Sequence, residues 1–146
     1  MARQRNKTPV REVRVRMYRQ GLGDCFLLIF PGRGKPFHML VDCGVLLGTP
    51  DQEAKMQEVA NDIATTCGGC LDLLVATHEH WDHLSGFAQA KEVFEKIDVQ
   101  ELWLAWTEDP EDARAAELRQ GRRAALKALH VAAQKLHAAG SARAEQ

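Results

Sequence analysis

No charge of one sign dominates this chain. Its formal net charge is −1 over 146 residues, so overall electrostatics favour neither a polyanion nor a membrane surface as partner. No apolar run approaches the length of a membrane span; the longest, residues 25–30, suits a buried strand instead. The basic start leads into alternating charge and not into an apolar stretch, so the sequence reads as lacking a secretory signal. Cysteines are few: four in all, which favours reduced thiols in a cytoplasmic chain over a disulfide framework. No internal repeat is visible, and nothing specifies an oligomeric state.

What remains is an ordinary soluble composition, 45% hydrophobic and 27% charged, of a length that fits one domain. The first twenty residues hold Arg3, Arg5, Lys7, Arg11, Arg14, Arg16 and Arg19 against Glu12 alone. Such a run can meet phosphate, although a solvated tail leading into an exposed strand face is its commoner use. Residues 1–9 read as a flexible basic tail, 10–139 as the folded part, and 140–146 as a flexible end.

Val13, Val15 and Met17 alternate with Arg14, Arg16 and Tyr18, the period of a strand with one face wet. Residues 25–30 predict a more buried strand, the Pro31–Pro36 segment a hairpin turn, and residues 37–41 a third strand ending at Asp42. Met56, Val59, Ala60 and Ile63 then recur at helical spacing up to the stop at Gly68-Gly69. Residues 71–77 read as a strand covered on both faces. Ser85 is a plausible cap for a helix whose Phe87, Ala90, Phe94 and Ile97 share a side. A strand over 99–106 follows, with Trp103 and Trp106 free to pack or to line a cleft. A long helix then runs from Pro110 to about Ala139, interrupted at Gly121, and its simplest use is to cover the sheet. Early antiparallel strands followed by β-α-β-α units predict an α/β fold, a mixed sheet with flanking helices and a long C-terminal helix.

The chemistry concentrates between that fourth strand and its helix. His78-Glu79-His80-Trp81-Asp82-His83 puts three imidazoles and a carboxylate within six residues. Imidazole suits zinc, iron or manganese, and a carboxylate adds the charge that a second divalent ion needs. On a helix, His78 and His80 would diverge by about 200°; on a loop at a strand's carboxyl end, where ligand sites of α/β sheets lie, they can converge.

Residues 77–86, from Thr77 to Gly86, resemble the H-x-H-x-D-H signature of the metallo-β-lactamase fold superfamily. Gly21-Leu22-Gly23-Asp24-Cys25, with the apolar strand after it, is similar to the G-x-G-D segment of the superfamily's DNA-uptake (competence) protein branch. Val41-Asp42-Cys43-Gly44 resembles the superfamily's first aspartate motif. The resemblance covers about residues 13–106, and Ser85 stands where many members have glycine. It implies part of a four-layer αβ/βα sandwich and a binuclear site, with zinc as the first expectation and iron or manganese as alternatives. His78 and His80 would bind one ion and Asp82 and His83 the other, while Asp82 would also orient water and carry a proton. Asp42 would hold the metal loop from behind, or serve simply as a turn aspartate. Asp24 reads more readily as a turn residue than as a ligand.

A complete site of that family has a further histidine for the first ion, a bridging aspartate and a last histidine. Downstream, only His130 and His137 are available, both on the long helix, where surface placement is the default; His38, within a strand, is no better placed. The expectation is therefore the N-terminal part of a longer enzyme, or a truncated product. The implied activity is hydrolysis of an ester, phosphodiester or amide by metal-activated water. The alternatives are a catalytically silent metal-binding or interaction module and a nucleic-acid-processing nuclease. Cys67-Gly68-Gly69-Cys70 has a spacing used for redox exchange or half a zinc knuckle, yet reads first as a turn with incidental thiols. Cys25 and Cys43 read as small buried hydrophobes.

Overall fold

The computed structural model describes residues 12–144, so the expected basic tail, 1–9, and the last two residues lie outside the described part. The chain divides into two compact units, 1–104 and 105–146.

In the first unit, β1 (Arg14–Met17), β2 (Phe26–Phe30) and β3 (Phe37–Val41) form an antiparallel meander. Then come α1 (Gln52–Cys67), β4 (Cys70–Leu71), β5 (Leu73–Ala76), α2 (Trp81–Gln89), α3 (Lys91–Phe94), β6 (Asp98–Val99) and β7 (Leu102–Leu104). The main sheet runs β1-β2-β3-β5-β7, with β3, β5 and β7 parallel, and β4 pairs with β6 in a separate two-stranded ribbon. The mixed α/β sheet expected from the element order is therefore present.

Helix α1 forms because Met56, Val59, Ala60, Ile63 and Cys67 recur every three or four residues and all bury. It stops at Gly68, whose left-handed conformation (φ 64°) lets its N–H and that of Gly69 reach back to the last carbonyls. Its apolar stripe packs with Leu27 and Ile29 of β2 and Leu40 of β3 in one core. Burial of each such side chain is worth about 1.5–3 kcal/mol.

Several boundaries differ from the sequence reading. The strand expected over 71–77 is broken at Asp72, whose carboxylate accepts the His38 backbone N–H at 2.8 Å and so ties the bend to β3. Helix α2 begins at Trp81, with His80 as its cap. Ser85 therefore lies inside the helix and caps nothing; its buried hydroxyl joins both backbone groups of Val45. The helix expected through Ile97 breaks at Ala90 (φ −116°) into α2 and α3, although Phe87 and Phe94 still meet, with ring centroids 4.8 Å apart.

The second unit holds a short 3-10 turn (Trp106–Glu108) and α4 (Ala113–Ala144), which continues without interruption through Gly121 and past Ala139. Arg119 donates to the carbonyls of Thr107 and Asp109, and Asp112 accepts the Ala115 N–H at 2.8 Å, pinning the turn to the start of α4. Leu118, Leu129 and Leu136 along α4 are exposed.

Candidate metal centre

Strands β3 and β5 are parallel neighbours with Val41 opposite Val75, so the loops leaving their carboxyl ends start side by side. Asp42 is the first residue beyond β3 and Thr77 the first beyond β5. Asp42 adopts a left-handed conformation (φ 53°), uncommon outside glycine but accessible to aspartate, and its side chain is almost wholly buried. It accepts the Thr77 N–H on Oδ1 at 2.8 Å and the Thr77 hydroxyl on Oδ2 at 2.6 Å. His83 Nδ1, from the first turn of α2, is 2.9 Å from the same Oδ2.

These contacts set the protonation of two imidazoles. A carboxylate accepts and cannot donate, so His83 carries its proton on Nδ1 and leaves Nε2 as a bare donor atom for a metal. The Thr77 hydroxyl spends its proton on Asp42, so its oxygen accepts at His78 Nδ1, 3.0 Å away. That frees His78 Nε2 in the same way. Asp42 thus orients His83 directly and His78 through Thr77.

The freed atoms converge. His78 Nε2 lies 3.0 Å from His80 Nδ1, close to the spacing of about 3.3 Å between two nitrogens sharing a tetrahedral ion at 2.0–2.1 Å. His83 Nε2 lies 3.7 Å from Asp82 Oδ2, a separation that one ion could bridge. The His78 ring is close to both other imidazoles, its centroid 4.5 Å from that of His80 and 3.9 Å from that of His83. His78, Asp82 and His83 are half-buried and His80 is exposed, as befits ligands on the rim of a sheet. The donors are of types that zinc accepts, two nitrogens in one pair and a nitrogen and a carboxylate in the other, while each pair is fewer than the three protein ligands usual at a catalytic zinc.

A different trio also gathers here: Asp24, Asp42 and His83 each place one ligand-type atom within 4.8 Å of the others. It meets on the Nδ1 side of His83, with Asp24 Oδ2 at 3.5 Å. Asp42 already accepts three hydrogen bonds there, so we assign it to positioning and not to coordination. Asp24, expected only to shape a turn, stands beside the site.

Two loops and the start of α2 lock together beneath this cluster. Asp24 N–H donates to Asp82 O at 3.1 Å, Cys43 N–H to His83 O at 2.8 Å, and Gly86 N–H to Cys43 O at 2.8 Å. The glycines are required by this closeness: a Cβ on Gly23 would stand 2.6 Å, and one on Gly44 2.5 Å, from the Asp82 carbonyl oxygen. Buried Gln20 adds a brace, its Nε2 donating to Gly44 O at 2.8 Å. Gln20 and Thr77 drew no attention in the sequence; the glycines of both short motifs were the available signal that backbones meet here. His38 sits in β3 beside Asp72. His130 and His137 both lie on α4. No family profile matches the chain, and no curated protein or solved structure matches it either.

Proposed function

We propose that this chain is a metal-dependent hydrolase domain, holding zinc through His78 and His80 at one position and through Asp82 and His83 at another. The observation that carries the reading is the 3.0 Å approach of His78 Nε2 to His80 Nδ1, beside a His83 whose other nitrogen is fixed by Asp42. A divalent ion held there supplies Lewis acidity, making water acidic enough to attack near neutral pH and drawing charge from the bond under attack.

The chain's own groups do the rest. Asp42 keeps His83 in the Nδ1–H tautomer and, through Thr77, keeps His78 likewise, so both imidazoles present lone pairs and not protons. Asp82, half-buried beside His83, would orient the attacking water and take up its proton at Oδ1, leaving Oδ2 to the ion. The exposed rim at His80 and Trp81 leaves room for an extended ester or phosphodiester substrate.

Metal analysis of the purified chain after zinc loading and desalting tests the assignment. Zinc should be retained by the wild type and lost on replacing His80 and Asp82 together with alanine; an unchanged stoichiometry in that variant refutes the ligand set. Hydrolysis of an activated phosphodiester by the zinc-loaded chain tests the activity separately. Retained zinc without turnover would make the chain a silent metal-binding module.

A further inference from the structure

On the far side of the first unit, Cys67 and Cys70 flank the turn between α1 and β4. They share a small cleft of about 170 Å³ with Lys35, Pro36, His38 and Asp72. The two residues between them, Gly68 (φ 64°) and Gly69 (φ 77°), both take positive φ, so the chain turns sharply out of the helix there. A β-turn brings its end Cα atoms within about 7 Å, and disulfides form across Cα separations of roughly 4.4–6.8 Å. The sharp turn and the shared cleft bring the two cysteines together.

The two thiols differ in access. Cys70 is half-buried and Cys67 almost wholly buried; Cys25 and Cys43, in the core, are buried as well. We propose that Cys67 and Cys70 form a thiol–disulfide exchange site, cycling between a dithiol and an intramolecular disulfide by reaction with low-molecular-weight disulfides.

The order of steps follows from exposure. Cys70 gives up its proton and its sulfur attacks one sulfur of the small disulfide. A mixed disulfide forms at Cys70, and the first small thiol leaves as a thiolate. Cys67, deprotonated in turn, attacks the Cys70 sulfur, closing the Cys67–Cys70 bond and expelling the second small thiolate. Two protein thiols lose two electrons and two protons, and the small disulfide becomes two thiols. Cys67 never has to meet the oxidant, so its burial is no obstacle. Burial pushes its thiol up, while the backbone N–H groups of Gly69 and Cys70 pull it part of the way back.

The test uses the folded, full chain incubated with oxidised glutathione and read by intact-mass and peptide mass spectrometry. Cys67 and Cys70 should lose their thiols to a shared disulfide while Cys25 and Cys43 stay reduced. Cys67→Ser should stop at a stable glutathione adduct on Cys70, and Cys70→Ser should give no adduct at all. Gly69→Ala meets open space and opposes only the positive φ, so ring closure should slow about tenfold and the Cys70 adduct accumulate. A wild-type chain that stops at the Cys70 adduct, or that oxidises at Cys25 and Cys43 as fast as at Cys67 and Cys70, overturns the proposal.

Discussion

The two faces of the main sheet are built from the same apolar strands and meet opposite environments. On one, Leu27, Ile29 and Leu40 disappear beneath α1. On the other, the alternating neighbours Val15, Met17, Phe37 and Trp103 stay exposed, Val15 and Met17 by more than half. The polar members of β1 make the contrast sharper. Arg16 turns toward the helix-covered side, where its guanidinium meets Asp62 and Thr66 of α1, and Tyr18 donates to the same Asp62 at 2.7 Å. An arginine at the sheet's edge can bury its stem and keep its charged head at the surface. The apolar side of a β-strand is thus not always its inner side; what lies across the sheet decides.

The largest test of that difference is a pair of truncations. Leu40→Ala should cost about 2–5 kcal/mol, whereas Val15→Ala should stay within about 0.5 kcal/mol, both read from urea denaturation. Comparable losses at the two positions would mean that the second face is covered in solution. Next comes the rim where the covered side meets the metal loop. Gly44→Ala forces a Cβ to 2.5 Å from Asp82 O. It should lower stability by about 1–3 kcal/mol and zinc retention along with it, measured by thermal unfolding and metal content. Unchanged zinc retention would uncouple the two loops.

The smallest effect belongs to the arginine on the covered side. The Asp62 carboxyl is held below its ordinary value of 3.8, first by the Tyr18 hydroxyl and then by Arg16. A depressed carboxyl contributes stability that is present above its unfolded value and lost as pH falls through its folded one. Asp62→Asn should therefore lower stability near neutrality, by under about 1 kcal/mol because the pair is half-exposed. The gap between wild type and variant should close in acid below that range. A gap that persists there would assign the effect to packing.

The parts of the fold written in local pattern were legible in the sequence. The meander of β1 to β3, α1 with its Gly68 stop, and the convergent histidines after β5 all follow from periods and punctuation within a dozen residues. Which face of β1 turns inward was not legible. Alternation defines two faces, and contacts far along the chain select between them: the register that sets Arg16 opposite Leu27, and Asp62 and Thr66 of α1. Thr77 was missed because its contact with Asp42 arises from the parallel strands β3 and β5, which align distant loops, and Asp24 comes beside them through the antiparallel pairing of β2 with β3. Ser85 was misread because α2 opens earlier, at His80, whose side chain meets His78 and caps no backbone N–H of the helix.

The interlocked loops carry a consequence for motion. Surface loops ordinarily exchange their amide hydrogens quickly, because opening one costs little and disturbs no other. Here the amides of Asp24 and Cys43, in two loops, donate to carbonyls of the first turn of α2, and the amide of Gly86 in α2 donates back to Cys43. None of the three segments can open alone without stripping a neighbour of its partner. They should exchange as a single slow cooperative unit, with Asp82 and His83 held in register by it.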